Sequence, residues 1–151
     1  MKKITILSFV LFLSACGSNT LSVKTLDDYI NDDAYLFIDI RNPEEAYTDG
    51  YIEGFTFLPL YGYLFEEDIL RPPSGGVFRS SDILDRERLE SHLDNTKIIV
   101  IICRTGNRTD YFETVLKSLG YDVINLGGIH DYRGDLLKYP EDGFNDNNSE
   151  S

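Results

Sequence analysis

The sequence predicts an α/β fold: a parallel sheet flanked by helices, with a functional loop at the carboxyl end of one strand. Three observations carry this. Apolar runs of strand length alternate with segments of helical periodicity along most of the chain. The run Lys97-Ile98-Ile99-Val100-Ile101-Ile102 is nearly all β-branched, the mark of a strand buried on both faces of a parallel sheet. Phe112, Val115, Leu116 and Leu119 then recur at helical spacing, and Gly120 stands where a left-handed C-terminal cap belongs.

Thr25, with Asp28 three residues on, predicts a short helix through Ile30. Tyr35 to Ile40 reads as a strand. Asn42 and Pro43 suit the N-cap and first position of a helix running to about Thr48. A short strand follows over Phe55 to Leu60, then a helix from Asp85 to Leu93. The central strand spans 97–102, its helix 107–119, and a further strand 122–126. A last helix is expected from about Ile129 to Leu137. In such sheets ligands bind beyond the carboxyl ends of the strands.

Residues 61–83 break the alternation. Tyr61 to Asp68 is aromatic and then acidic, and Arg71 to Arg79 is rich in Pro and Gly. A connection of this length is uncommon unless functional or mobile. It reads either as a lid or pocket wall, with Arg71 or Arg79 assisting anions, or as a surface excursion packing its own aromatics.

Cys103-Arg104-Thr105-Gly106-Asn107-Arg108-Thr109 joins the central strand to the next helix. Backbone N–H groups of such a loop point inward, and the helix dipole adds partial positive charge, so a thiolate is stabilised there. Arg104 and Arg108 add fixed charge and can hold an anionic substrate. A cysteine ending an apolar run is otherwise a small buried hydrophobe, a role that needs neither Gly106 nor two nearby arginines. Cys103 is therefore the candidate nucleophile. Asp110, in the first helical turn, is expected to lean back toward the sulfur and to oppose thiolate formation.

Other polar residues read as structural. His92 falls in a charged helix and His130 at a helix start, neither at metal-ligand spacing. Asp39 and Arg41 suit a hydrogen-bonded pair at a strand end. Glu66-Glu67-Asp68 lacks a calcium-loop pattern and reads as a solvated face.

The loop Cys103 to Thr109 resembles the active-site loop of the rhodanese family, whose recurring form is C-R-[ST]-G-x-R-[ST]. Upstream, Ile38-Asp39-Ile40-Arg41, Glu45, Gly50-Tyr51-Ile52-Glu53-Gly54 and Leu58-Pro59 resemble the family's D-x-R…E…G-H-I-x-G-A…[IL]-P segment. Downstream, Asn125-Leu126-Gly127-Gly128-Ile129 resembles its closing N-L-x-G-G turn. The three blocks come in family order over about residues 22–140. Tyr51 stands where the family usually has His, Phe55 where it has Ala, and Tyr132 near its usual Trp. The helix after the loop begins Thr109-Asp110-Tyr111-Phe112 rather than with small residues.

The resemblance implies a thiosulfate-type sulfurtransferase with a rhodanese-like domain over 22–140. Cys103 would attack the outer sulfur of a small anionic donor such as thiosulfate and carry it as a persulfide. A thiol, cyanide or a partner protein's cysteine would accept it. Arg104, Thr105, Gly106, Asn107, Arg108 and Thr109 would form the substrate-binding loop, with no cofactor and no metal. One alternative is a non-catalytic binding module that keeps the loop by descent. The other, a cysteine phosphatase or arsenate reductase, needs C-x5-R, and that last position here holds Thr109, so the loop is one residue short.

At the N-terminus, Lys2 and Lys3 precede an apolar run from Ile4 to Leu13, of signal-peptide length and short of the about 20 residues that span a bilayer. Leu13-Ser14-Ala15-Cys16 resembles the lipobox of bacterial lipoproteins. Residues 1–15 are thus expected to be a signal peptide and 16–21 a tether lipidated at Cys16. Two or three acyl chains of the palmitate kind would hold the protein at the cell envelope. In a Gram-negative source, Gly17 points to the periplasmic face of the outer membrane. With Cys16 lipidated, Cys103 has no disulfide partner in its own chain. Residues 141–151 read as an acidic disordered tail. The formal charge of −12 argues against nucleic acid and anionic membrane surfaces as partners, and requires the arginines to act locally on anions.

Overall fold

The computed structural model describes residues 20–140. Cys16, the signal segment and the acidic tail lie outside them. The main sheet is built from β1 (Tyr35–Asp39), β3 (Thr56–Phe57), β4 (Ile98–Cys103) and β5 (Val123–Gly128) in the order β3-β1-β4-β5, every pair parallel. A two-stranded antiparallel sheet joins β2 (Tyr51–Ile52) to β6 (Leu137–Lys138). The helices are α1 (Glu45–Asp49), α2 (Arg86–Glu90) and α3 (Asn107–Ser118).

The β-branched run of β4 sits at the centre and is buried on both faces. Its alternation sorts the core into two layers. Ile99, Ile101 and Cys103 face one layer with Ile38, Leu64, Leu89, Phe112 and Leu116. Val100 and Ile102 face the other with Phe37, Ile52, Leu126, Ile129 and Tyr132. The candidate nucleophile thus ends the stripe that packs against α3. Phe55, the large residue in a usual alanine position, lies on the opposite side, its ring 5.2 Å from that of Phe37.

The expected order of elements holds, with three corrections. No helix runs from Ile129 to Leu137. A 3-10 turn covers Ile129–Asp131, and the chain then extends into β6. Tyr132 is the cause: it is fully buried, its hydroxyl donates to Asp27 Oδ1, and that hydroxyl accepts from the N–H of Leu136 at 3.1 Å. Burial and then the Asp27 carboxylate push the Tyr132 phenol up to about 12. The helix expected after Thr25 shortens to a 3-10 turn at Leu26–Asp28. The turn around Asn42 and Pro43 is closed by Glu45, whose carboxylate accepts from the N–H of Asn42 at 3.0 Å, and α1 starts only at Glu45.

The long connection is ordered. A π-helical turn covers Leu60–Phe65, with Leu64 fully buried, and Leu70 bridges to Ile83. No helix among the described residues is long and apolar enough to cross a membrane.

Candidate active site

The loop between β4 and α3 turns on Gly106, whose φ of +102° is a left-handed value that a side chain would strain. That turn aims the Gly106 N–H at Cys103, donating to Sγ at 3.0 Å. Thr109 Oγ1 lies 3.9 Å from the same sulfur and donates to the Gly106 carbonyl at 2.6 Å, locking the loop to the first turn of α3. The sulfur is therefore held at a helix N-terminus with a backbone donor on it. Cys103 is 0 % exposed, and among the described residues it is unpaired.

The closing turn of β5 supports the loop from behind. Ile101 pairs with Asn125, but Cys103 pairs with Gly128, so β5 carries one extra residue. Gly127 takes a φ of +76°, and its N–H donates to Asn125 Oδ1 at 2.8 Å. A Cβ at Gly128 would lie 2.7 Å from the Arg104 carbonyl oxygen and 2.8 Å from the Thr105 Cα. Gly128, the second glycine of the third sequence block, is glycine because the loop backbone occupies that space.

Both loop arginines are paired. Arg108 donates to the two oxygens of Glu45 at 2.7 Å each, and its guanidinium stands 5.6 Å from the centre of the Tyr61 ring. The Arg108 hydrogen bond holds the Glu45 carboxyl below its ordinary 4.5, and the same bond raises Arg108, with a smaller contribution from Cys103. Arg104 places Nε 2.8 Å from Asp49 Oδ2, while His130 Nε2 is 3.3 Å from Oδ1 of the same carboxylate. Burial pushes Asp49 up, but hydrogen bonds from His130 and Arg104 outweigh it and leave the carboxyl below 3.8. Asp39 and Arg41 form the expected structural pair, 2.7 Å apart at 1 % and 0 % exposure, and Arg41 also donates to the Gly50 carbonyl at 2.9 Å.

Asp110 does not lean toward the sulfur. It is exposed, and its Oδ1 accepts from Asn125 Nδ2 at 3.0 Å. Thr109 is the helical side chain within reach of Sγ. Thr105 and Asn107 are exposed on the loop surface.

The 61–83 connection packs on the start of α3. The Tyr111 hydroxyl donates to the Arg71 carbonyl at 3.0 Å, and its ring meets those of Phe65 and Phe78 at 6.0 and 6.1 Å. Burial pushes the Tyr111 phenol up to about 12. A groove of about 280 Å³ lies between the two, bounded by Tyr61, Phe65, Pro72, Tyr111, Asn107 and Arg108. The segment is a wall beside the loop, but Arg71 and Arg79 are exposed, and neither guanidinium has a partner among the described residues. Sequence reasoning missed Asp49, His130 and Tyr61. Glu45 was visible only as part of the upstream block, without its role on Arg108.

The rhodanese-like domain family matches residues 22–135. No curated protein matches the sequence. Among solved structures, a protein of Staphylococcus saprophyticus is similar at a TM-score of 0.53 and 18 % identity, covering 80 % of this chain and 98 % of that one. A rhodanese-like domain protein from Staphylococcus aureus gives 0.53 and 18 %, over 80 % and 96 %. The reduced CoADR-RHD protein of Bacillus anthracis gives 0.50 and 28 %, covering 72 % of this chain and 15 % of that one. With the family matching most of the chain, and with the closing glycines and Glu45 of the upstream block packed on the cysteine loop, this protein belongs to the rhodanese-like domain family.

Proposed function

We propose that the protein is a sulfurtransferase in which Cys103 carries a sulfane sulfur as a persulfide. The observation that carries this reading is the Gly106 N–H on Sγ at 3.0 Å, in a loop that opens α3. That donor and the helix dipole favour an anion at the sulfur, whether thiolate or persulfide. The Cys103 thiolate attacks the outer sulfur of a donor such as thiosulfate. The S–S bond of the donor breaks, sulfite leaves with the bonding pair, and the terminal sulfur stays on Cys103. A thiol, cyanide or a protein cysteine then removes it.

Cys103 has no exposed surface, so a donor reaches it only when neighbouring side chains move. The same burial favours a second reading, a binding module without turnover. Intact-mass spectrometry of the full-length chain after thiosulfate, polysulfide or another persulfide donor separates the two. A single added sulfur, absent in Cys103→Ser and lost on adding cyanide or excess thiol, supports the transferase. No adduct with any of these donors leaves the binding module. We further propose that Cys16 is lipidated and anchors the chain at the cell envelope, on the strength of the Leu13-Ser14-Ala15-Cys16 motif.

A further inference from the structure

Both loop arginines already carry a carboxylate: Arg104 has Asp49 and Arg108 has Glu45. These two pairs offer no surplus positive charge. Arg71 and Arg79, whose guanidinium groups are unpartnered among the described residues, do not line the groove beside Arg108, and the chain as a whole carries −12. A dianion such as thiosulfate gains little from two neutralised pairs, and at Arg108 it must still displace Glu45. Beside Arg108, however, lies the groove of Leu60, Tyr61, Phe65, Pro72, Pro73 and Tyr111, about 280 Å³ in volume. An apolar cavity of about 150 Å³ already holds a benzene molecule. Tyr61 joins the two features, since its ring lines the groove and faces the Arg108 guanidinium at 5.6 Å.

We infer that the site selects a singly charged organic sulfane donor bearing an apolar ring, such as an aryl thiosulfonate, over thiosulfate. This rests on the sulfurtransferase reading above. The ring lies in the groove against Tyr61, Phe65 and Tyr111. The anionic end takes the place of Glu45 on Arg108, and movement of that guanidinium opens the way to the buried sulfur. One ion pair is exchanged for another, so a single negative charge suffices. In the step itself the Cys103 thiolate bonds to the terminal sulfur of R–SO2–S⁻. The bond between sulfonyl and terminal sulfur breaks, and its electron pair leaves on the sulfinate R–SO2⁻. The cysteine sulfur is oxidised to the persulfide level as the sulfonyl sulfur is reduced, and the total charge is unchanged.

The test loads the full-length protein with benzenethiosulfonate, methanethiosulfonate or thiosulfate and follows the added sulfur on Cys103 by intact mass. Each rate is divided by that of the same donor with free cysteine, which removes intrinsic reactivity. The normalised rate for the benzene compound is expected to exceed that for the methane compound about tenfold or more. The methane compound in turn should exceed thiosulfate. Tyr61→Ala, at a residue 51 % exposed, should lower the benzene-to-methane ratio severalfold without threatening the fold. Glu45→Gln, which frees Arg108 of its counter-charge, should raise thiosulfate relative to the methane compound. Equal normalised rates for the three donors, or a benzene-to-methane ratio untouched by Tyr61→Ala, would overturn the inference and leave the sulfurtransferase reading standing. Failure of all three to load Cys103 while polysulfide adds one sulfur would overturn the inference alone, and failure of polysulfide as well would overturn both.

Discussion

Arg108 grips Glu45 with two hydrogen bonds of 2.7 Å, tying the start of α3 to the start of α1 across the mouth of the cysteine loop. The pair is only partly exposed, 14 % on the arginine and 25 % on the glutamate, so solvent screens it less than a surface pair.

Its stability contribution should depend on pH in one direction. The Glu45 carboxyl is held below its ordinary 4.5, chiefly by Arg108. The contribution is therefore complete above that value and is lost as pH falls through the lower, folded one. Glu45→Gln should cost about 1–2 kcal/mol at neutral pH. Urea midpoints of the two proteins should converge as pH drops below 4.5. A constant difference down to pH 3 would show that the carboxylate charge contributes nothing.

Gly128→Ala should damage the loop more than the strain of a left-handed glycine explains. Its Cβ would meet backbone atoms at 2.7 and 2.8 Å, and neither can swing aside as a flexible side chain would. The expected cost is about 1–3 kcal/mol, with sulfur loading of Cys103 reduced at least tenfold. Gly120→Ala is the control, since Gly120 has a φ of +90° with nothing within 4 Å of a new Cβ. It should destabilise by about 1–2 kcal/mol and leave loading unchanged. Equal loading by both variants would mean that the close approach of β5 does not shape the loop.

Asp39→Asn should be among the most destabilising single changes. Arg41 is fully buried, and removing its counter-charge strands a guanidinium that already has Nη1 without a hydrogen bond. The cost expected is about 3–5 kcal/mol, read from denaturant unfolding. A loss below about 1 kcal/mol would mean that water reaches Arg41 once the carboxylate is gone.

Cys16→Ala should abolish incorporation of labelled fatty acid and shift the protein out of the membrane fraction or stall its processing. Unchanged fractionation with a thiol-specific lipid label still present would remove Cys16 as the anchor.

The sheet and the cysteine loop were legible because their signals are local. A β-branched run buried on both faces, a helical stripe and a loop glycine each write their structure into neighbouring residues. The pairings that shape the site were not legible. Arg104 finds Asp49, and Arg108 finds Glu45, only after parallel pairing has brought α1 beside the loop, and no spacing in the sequence encodes that meeting. The expected helix at 129–137 failed for a similar reason. Its residues tolerate a helix, but burying Tyr132 against Asp27 and pairing Leu137 with Ile52 satisfies more polar and apolar groups than a surface helix would. Asp110 misled because leaning toward the N-terminus leaves the azimuth around the helix open, and Asn125 determines it.

Pairing Tyr51–Ile52 with Leu137–Lys138 also has a kinetic consequence. The two segments come from opposite halves of the domain, so closing them costs chain entropy that no neighbouring contact has prepaid. Parallel strands joined by long crossovers add to the sequence distance between partners, and such topologies fold slowly. While a ribosome still holds residue 138, β2 has no edge partner and Gly50 no neighbour at Lys138 and Tyr139. The β2–β6 pairing is thus a late event, formed only after residues 137–138 have left the ribosome.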